Sequence, residues 1–268
     1  MGKVLFFDVD GTLSDFTGSM PASAEEGLRL ARANGHKVII CTGRSTYQIA
    51  PFLRSVSDGL VASTGCYVSS GEKVVYEHFM PMETICRVLE VMKPTGAAVN
   101  GQGEDGLVLS PLGLQRMEER LKNALPWRRQ TLLSNYKLSE DPEDYRGIKK
   151  FVYNGSSLTV EQIAEQLGDI CDVTASSFSE DDIGGGEITC RGINKATGMQ
   201  RYLDTVGVKR EDSFAFGDGP NDFEMLDFAG VGIAMGSGRE ELKRRADYVT
   251  TDLQDDGIYN ALKHFNLI

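Results

Sequence analysis

Short, unbroken apolar runs near both ends of the chain are each followed by polar or glycine residues. Residues 4–7 form one such run before Asp8, and residues 38–41 form another before Thr42. A strand buried on both faces of a parallel sheet has this pattern, and ligands bind at the carboxyl ends of such strands. The two runs therefore predict neighbouring parallel strands whose ends share a site.

A helix is predicted between these two strands. Pro21 and the segment 23–26, Ser-Ala-Glu-Glu, indicate a capping box at its start, and Gly35 is placed to end it after Asn34. Strand, helix and strand at this spacing make a βαβ unit with a right-handed crossover. The predicted fold class is therefore α/β with a parallel sheet.

The same alternation returns near the end of the chain. Residues 213–216 form a mostly apolar run that leads into residues 217–222, which read Gly-Asp-Gly-Pro-Asn-Asp. Weaker strands over 230–234 and 248–250 extend the sheet. Both ends of the chain are thus expected to build one parallel sheet.

The middle of the chain has a different texture. Its predicted elements are helices over 83–93 and 159–167 and strands near 97–100, 107–109, 150–153 and 173–176. Residues 126–146 are polar and poorly periodic and receive no assignment. We predict an inserted α+β domain over residues 82–186, flanked by segments 1–81 and 187–268 that together form the core domain.

Composition and charge narrow the possible partners. With 268 residues, 41% of them apolar and 25% charged, the chain is expected to fold as a globular protein of two domains. Its formal net charge of -11 would repel a phosphate backbone, which argues against nucleic acid as a partner.

Targeting signals and cysteine usage predict a cytoplasmic protein without a membrane partner. No apolar stretch reaches the roughly 18 residues of a membrane span, and the first apolar run is too short for a signal peptide. The five cysteines are scattered and lack metal-ligand spacing, so we expect reduced and mostly buried thiols.

Three aspartates at predicted strand ends are candidates for metal chemistry. Asp8 and Asp10 directly follow the first strand, and Asp218 follows the strand over 213–216. Neighbouring carboxylates repel unless a cation joins them, and Mg²⁺ favours one or two carboxylates with phosphate oxygens and water. A loop in which Asp10 only caps a helix is the simpler alternative, and it leaves Asp218 unexplained.

Four short motifs in sequence order resemble those of the haloacid dehalogenase-like (HAD) hydrolases. They are Phe-Asp-Val-Asp-Gly-Thr-Leu at 7–13, Cys-Thr-Gly-Arg at 41–44, Gly-Ile-Asn-Lys at 192–195 and Gly-Asp-Gly-Pro-Asn-Asp at 217–222. The insertion between the second and third motifs, and the segments 231–236 and 246–250, are similar to the Cof-like subfamily with a type IIB cap. The resemblance implies a Rossmann-like parallel-sheet core with an inserted α+β cap that closes over the site.

The resemblance also implies roles for the motif residues. Asp8 would attack phosphorus to give an aspartyl-phosphate, while Asp10 would protonate the leaving alcohol and then deprotonate the hydrolytic water. Mg²⁺ would bind to Asp8, to the backbone carbonyl of Asp10 and to Asp218, supported by Asn221 and Asp222. The residues expected to hold the phosphate are Thr42, Gly43, Lys195 and Asn221.

Simpler structural roles stay open for several of these residues. Thr42 could cap a strand end, and Lys195 could be a surface lysine in the first turn of a helix, where its charge opposes the helix dipole. Asn221 and Asp222 could cap a helix over 223–228.

Two further positions are of interest in these motifs. Arg44 is expected to have a structural role or to lie at the rim of the site. After the third strand the subfamily usually has Asn-Gly, whereas this chain has Thr64 before Gly65. Any substrate contact inherited from that loop is therefore in doubt.

The predicted function is Mg²⁺-dependent hydrolysis of a small phosphate monoester, either a sugar phosphate or a phosphorylated cofactor. A phosphomutase, which passes the aspartyl-phosphate to a second hydroxyl of the substrate, is the first alternative. A phospho-aspartate signalling module is more distant, because a long-lived switch does not need an acid/base at Asp10. The expected partner is a small phosphorylated metabolite; its identity, the cap residues that select it and the oligomeric state are left open.

Overall fold

The computed structural model describes residues 2–15, 17–104, 106–133, 135–175 and 184–268. Two compact units can be separated. The first comprises Met1–Arg44, Ile49–Glu77 and Asn194–Ile268, and the second comprises Ser45–Gln48 and His78–Ile193. Each unit is built around its own sheet.

The secondary-structure elements follow in chain order. The strands are β1 (Val4–Phe7), β2 (Lys37–Cys41), β3 (Gly59–Ala62), β4 (Tyr67–Ser70), β5 (Lys73–Glu77), β6 (Ala98–Gly103), β7 (Leu107–Leu109), β8 (Tyr136–Leu138), β9 (Ile148–Asn154), β10 (Cys171–Ala175), β11 (Gly186–Cys190), β12 (Ser213–Gly217), β13 (Val231–Ala234) and β14 (Tyr248–Val249). The helices are α1 (Ala22–Ala33), α2 (Pro51–Ser55), α3 (Met82–Met92), α4 (Pro111–Arg120), α5 (Pro126–Leu133), α6 (Val160–Leu167), α7 (Lys195–Val206), α8 (Phe223–Phe228), α9 (Glu240–Arg245) and α10 (Gly257–His264).

The sheet of the first unit has the strand order β14-β13-β12-β1-β2-β3-β4-β5. The strands from β14 to β3 are parallel, and β4 and β5 add an antiparallel edge. Phe7, the last residue of β1, is in register with Ile40 of β2 and Phe216 of β12. The carboxyl ends of these three strands therefore lie side by side, as the apolar runs predict.

Every position of β1 is apolar, so its side chains need to be buried on both faces of the sheet. Helices cover both faces. Phe6 packs with Met199 and Tyr202 of α7 in the core of one face. On the other face, α1 and α10 pack together, with buried residues such as Leu28 and Leu262. The site at the strand ends is thus supported by a rigid, two-sided core.

The start of α1 differs from the prediction. The helix begins at Ala22 with Pro21 as its cap residue, and the Pro21 carbonyl accepts from the N–H groups of Ala24 and Glu25. Ser23 therefore lies inside the first turn, and the predicted capping box is wrong. Gly35 does end the helix as predicted, with a left-handed φ of 85°.

The sheet of the second unit has the order β10-β11-β9-β6-β7-β8 and is antiparallel except for the β7–β8 pair. Helices α3 and α6 pack together, and α6 also contacts β10. The unassigned segment 126–146 contains α5 and β8. Ser176, the last residue of the strand predicted over 173–176, lies outside the described residues.

The domain division at residues 81/82 and 186/187 stays a prediction. In the structure, β11 spans the second of these boundaries and pairs with β9 and β10 in the sheet of the second unit. The second unit accordingly continues to Ile193.

Two expectations from the sequence concern the cysteines and the apolar character of the helices. The five cysteines are free, and all but Cys86 are buried, as predicted. In the described part of the chain, no helix combines the length and apolar character needed to cross a membrane.

Candidate active site

Three polar segments meet at the carboxyl edge of the first unit's sheet. Asp8 follows β1, Thr42 follows β2 and Asp218 follows β12. The Asp8 N–H donates to the Phe216 carbonyl at 2.9 Å, and the Thr42 N–H donates to the Val61 carbonyl at 2.8 Å. The strand ladders therefore continue into the site and fix the backbone from which these side chains project.

Lys195 lies between two aspartates at the start of α7. Its Nζ is 2.6 Å from Oδ1 of Asp8 and 2.6 Å from Oδ1 of Asp222. Asn194 and Thr197 form a capping box that places Lys195 at the first helical position. The side chain is completely buried, which excludes the surface-lysine alternative.

Electrostatics explain how a lysine is tolerated in this buried position. Burial works to lower the pKa of Lys195, but the charges on Asp222 and Asp8 outweigh it and hold the pKa well above its ordinary value. Lys195 is therefore a fixed positive charge next to Asp8.

Asp222 organises the turn that carries Asp218. Its Oδ2 accepts from the N–H groups of Asp218 at 3.0 Å and Gly219 at 2.9 Å, while its Oδ1 accepts from Lys195. It stands at the cap position of α8 without a side-chain hydrogen bond to that helix. The contacts of Asp222 are thus made with Lys195 and with the backbone of this turn.

A cluster of three carboxylates can hold a divalent cation. Oxygens of Asp8, Asp218 and Asp222 all lie within 4.8 Å of one another. Oδ1 of Asp218 accepts from the Thr12 hydroxyl at 2.7 Å, and Gly11 lies so close that a Cβ there would be 2.3 Å from Oδ2 of Asp218. An all-oxygen donor set of this kind suits a hard cation.

The pKa values of the cluster show why a cation fits it. Burial raises the pKa of Asp8 to about 7, although Lys195 opposes this shift. Desolvation, together with the charge on Asp8, raises the pKa of Asp218 well above its ordinary value. Negative charge is therefore costly here, and a bound cation would offset that cost.

The Asp10 side chain points to Arg44. Two hydrogen bonds join them, from Nε to Oδ2 at 2.8 Å and from Nη2 to Oδ1 at 2.6 Å. Among the described residues, the carboxylate cluster does not include Asp10. The metal contact predicted for Asp10 was through its backbone carbonyl, and it stays a prediction.

Arg44 is the residue whose importance the sequence analysis missed. It is only 8% exposed, which excludes the rim position and leaves the structural role, the other half of the prediction. Its bidentate contact fixes the side chain of Asp10. The one available signal was its place in the second motif, two residues after Thr42. The sequence alone did not indicate which acid it pairs with.

Thr42 is buried and joins this arrangement through Arg44. Its hydroxyl accepts from the Arg44 N–H at 3.2 Å, and its carbonyl accepts from the Thr64 N–H at 3.1 Å. Thr64 has a φ of 55°, a conformation that is unusual for a β-branched residue. Gly43 and Asn221, the other predicted phosphate ligands, are half-buried in the turns that follow β2 and β12.

Comparison with known proteins extends these observations. The putative phosphatase YkrA of Bacillus subtilis is 26% identical over 272 residues, which cover 99% of this chain and 98% of YkrA. The pyridoxal phosphate phosphatase YbhA of Escherichia coli is 27% identical over 267 residues, covering 96% of either chain. The solved structure of the HAD subclass IIB sugar phosphatase BT4131 has a TM-score of 0.81 at 28% identity and covers 99% of this chain and 100% of its own.

These relatives confirm the predicted architecture of an α/β core with an inserted α+β cap. They also confirm the resemblance inferred from the four motifs. Since the family profile described as haloacid dehalogenase-like hydrolase matches residues 5–262, this chain belongs to that family.

Proposed function

We propose that this enzyme is a Mg²⁺-dependent phosphatase that hydrolyses a small phosphate monoester through an aspartyl-phosphate on Asp8. One observation carries the proposal: the Asp8 carboxylate stands at the end of the central strand, in contact with Lys195 and within 4.8 Å of Asp218. A nucleophilic carboxylate next to a fixed cation and a metal-binding carboxylate is the arrangement that phosphoryl transfer to aspartate requires.

Asp8 must be ionised to attack phosphorus. Burial raises its pKa to about 7, and the neighbouring Lys195 charge lowers it. Lys195 therefore helps keep the nucleophile ionised, and its remaining N–H donor capacity is available to phosphoryl oxygens. Asp222 holds Lys195 in place through the contact at 2.6 Å.

Asp10 acts as the acid and base of the two steps. It donates a proton to the leaving alcohol while Asp8 bonds to phosphorus, and it takes a proton from the water that opens the aspartyl-phosphate. Arg44 orients the Asp10 carboxylate and pairs with its ionised form, which is the form that the second step needs.

Asp8, Asp218 and the backbone carbonyl of Asp10 would hold Mg²⁺. When bound, the ion offsets the negative charge of the phosphoryl oxygens. Thr42, Gly43 and Asn221 are proposed to donate hydrogen bonds to the phosphate, and Asp222 to support the metal ligands.

The substrate is proposed to be a small phosphorylated metabolite. A relative that is a pyridoxal phosphate phosphatase and a solved relative that is a sugar phosphatase support this class. The absence of a net positive charge, at -11 overall, also favours a small substrate over a nucleic acid. Action in the cytoplasm is part of the same proposal.

The proposal is tested by phosphate release from a panel of sugar phosphates, nucleotides and phosphorylated cofactors. Each compound is assayed with Mg²⁺, with excess chelator, and with Mg²⁺ restored after chelation. We expect release from a narrow set of compounds that stops with chelator and returns with Mg²⁺. Release that persists in chelator would overturn the metal assignment, and conversion to a phosphate isomer without release would identify a mutase.

A further inference from the structure

Two cysteines lie opposite each other on neighbouring strands of the second unit. Cys171, the first residue of β10, is in register with Cys190, the last residue of β11. Both are free and buried, and neither takes part in the proposed reaction. The two thiols are therefore neighbours in the fold although the cysteines are scattered along the chain.

The hydrogen-bond ladder determines how close these two cysteines lie. Opposite residues of an antiparallel ladder alternate between hydrogen-bonded pairs and non-hydrogen-bonded pairs, and the Cα atoms of the second kind are only about 4.5 Å apart. The Arg191 N–H donates to the Ile170 carbonyl at 3.0 Å, so Ile170 and Arg191 belong to the hydrogen-bonded kind. The next pair, Cys171 and Cys190, is therefore of the closer kind.

This separation is within the range that a disulfide spans. Cα atoms that are joined by a disulfide usually lie roughly 4.4–6.8 Å apart. The side chains of directly opposite residues also point to the same face of the sheet. The backbones of β10 and β11 therefore already have the spacing that a disulfide between Cys171 and Cys190 requires.

Contacts beside the pair hold the ends of both strands in this register. Oδ2 of Asp172 accepts from the Gly192 N–H at 2.7 Å, and its Oδ1 lies 3.5 Å from Nε of Arg191. The Ile170 N–H donates to the Leu167 carbonyl at the end of α6, at 2.9 Å. The positions of the two cysteines are thus fixed by their neighbours on either side.

A metal centre does not explain the pair. Structural metal sites built from cysteine have four ligands, and among the described residues no cluster of His, Cys, Asp or Glu side chains includes Cys171 or Cys190. Cysteine also packs as a small apolar side chain, but packing alone does not require two thiols to occupy one non-hydrogen-bonded pair. The chemistry that this placement favours is a reaction between the two sulfur atoms.

The two thiols differ in reactivity. Cys190 is 8% exposed, against 1% for Cys171. Burial raises the pKa of Cys190 to about 11, whereas burial and the charge on Cys190 raise the pKa of Cys171 to about 12. Because the thiolate is the attacking species, Cys190 is expected to react first. A reagent reaches the pair when β10 opens, since β10 is an edge strand and opens locally at a lower free energy than a central strand.

We propose that Cys171 and Cys190 form an oxidation site, at which a small-molecule disulfide such as oxidised glutathione converts the two thiols to one disulfide. The proposal goes beyond the proposed function and does not depend on it. Thiols reverse the reaction by the same exchange chemistry. In a reducing compartment the bond is therefore transient and forms in response to oxidation.

The oxidation proceeds in two exchange steps. The Cys190 thiolate attacks one sulfur of the reagent, whose sulfur–sulfur bond breaks, and the first small thiol leaves. The Cys171 thiolate then attacks the Cys190 sulfur of this mixed disulfide and releases the second small thiol. Two protein thiols are oxidised, and one reagent disulfide is reduced to two thiols that take up the two protons.

Tryptic digestion detects this bond directly, because both cysteines fall in one peptide, residues 151–191, which contains no other cysteine. The folded protein is incubated with oxidised glutathione, its remaining thiols are blocked with iodoacetamide in denaturant, and the peptide masses are measured. We expect the 151–191 peptide to be two hydrogens lighter than its reduced form and to carry no blocking group. Cys86, which is exposed, should take up glutathione in the same sample and so shows that the reagent is active. Two blocked thiols in the 151–191 peptide beside a modified Cys86 would overturn the proposal.

Single variants test the order of the two steps. Cys171→Ala removes the second thiol, so glutathione should stay on Cys190 as a mixed disulfide. Cys190→Ala should leave Cys171 reduced. Cys86→Ala is the matched control, in which the internal bond should form as in the wild type. A bond that forms only after the protein is unfolded in urea would show that the folded sheet does not bring the two thiols together, and this result would refute the proposal.

The disulfide should also stabilise the folded protein, because it closes a ring over residues 171–190 and restricts the unfolded chain. We expect the oxidised Cys86→Ala variant to melt about 5 °C or more above its reduced form. This rise should be absent when Cys171→Ala is added. A melting temperature that does not rise on oxidation would count against the proposed site. None of these measurements uses phosphate release, so their failure leaves the proposed function intact.

Discussion

Arg44 holds Asp10 through two nearly parallel hydrogen bonds of 2.8 and 2.6 Å between side chains that are about nine-tenths buried. The two residues follow β2 and β1, so the pair links the ends of two neighbouring strands. Burial works to lower the pKa of Arg44, but the charge on Asp10 outweighs it and keeps the pKa above its ordinary value. The arginine is therefore always charged, and it provides a fixed positive charge for the Asp10 carboxylate.

Removing Arg44 should be costly because it takes away the positive charge that faces the buried Asp10 carboxylate. We expect Arg44→Met to lower the free energy of unfolding by about 3 kcal/mol or more, and Arg44→Met with Asp10→Asn to recover most of that loss. Urea denaturation of the wild type, both single variants and the double variant measures this coupling. Losses that simply add would show that the pair is not a unit.

Arg32→Met is the control for this experiment. Arg32 pairs with Asp58 at 3.1 Å in a more exposed position, with 38% of the arginine side chain accessible. Such pairs contribute about 1 kcal/mol or less.

Arg44 also shows what the sequence left undetermined. Apolar runs predicted β1, β2 and β12 because a buried parallel strand has a local signature, and the motif residues follow those strands directly. The pairing of Arg44 with Asp10 spans 34 positions and depends on the register of β1 and β2, which no local pattern encodes.

The second unit was harder to predict for a related reason. Helix α5 and strand β8 lie in the polar segment 126–146, where β8 is exposed and has no apolar alternation to mark it. The bulge at Lys149 is set by the pairing of β9 with β6. The alternation of side chains expected of a regular strand therefore could not reveal that Lys149 and Lys150 lie on the same face.

Asp8 and Asp10 should give different defects when each is replaced by asparagine. Asp8→Asn removes the nucleophile while keeping its shape, so phosphate release should fall at least about a thousandfold, with no phosphoenzyme. Asp10→Asn keeps the nucleophile but loses the base, so phosphoenzyme should accumulate and hydrolyse slowly. Acid quenching followed by intact-protein mass measurement detects the bound phosphoryl group, and substantial turnover by Asp8→Asn would refute the assignment.

Asp218 should destabilise the metal-free protein as the pH rises. Desolvation and the charge on Asp8 raise its pKa well above the ordinary value of 3.8, so the folded state holds this proton more tightly than the unfolded chain. The stabilisation that protonated Asp218 contributes to the fold is therefore fully present below about pH 3.8. It is lost as the pH rises toward the pKa of Asp218 in the folded state. We expect metal-free Asp218→Asn to match the wild type near about pH 4 and to exceed it by about 1 kcal/mol or more near pH 7.

Adding Mg²⁺ should reverse this order. The wild type gains stability from binding, while the variant, which lacks one metal ligand, gains much less. Thermal unfolding at both pH values, with and without Mg²⁺, measures both effects. A variant that is less stable than the metal-free wild type at neutral pH would contradict the pKa argument.

Gly11 and Gly35 offer a matched pair for testing how closely the first motif approaches the metal site. Both have left-handed φ values, 92° and 85°, so alanine should cost either position about 1 kcal/mol in backbone strain. A Cβ on Gly11 would lie 2.3 Å from Oδ2 of Asp218, whereas a Cβ on Gly35 meets no described atom within 4 Å.

Gly11→Ala must therefore displace the Asp218 carboxylate. We expect phosphate release to fall about a hundredfold and Mg²⁺ to bind more weakly. Gly35→Ala should lose only stability. Equal activity in the two variants, measured at saturating Mg²⁺ below their melting temperatures, would show that the position of the Asp218 carboxylate does not control turnover.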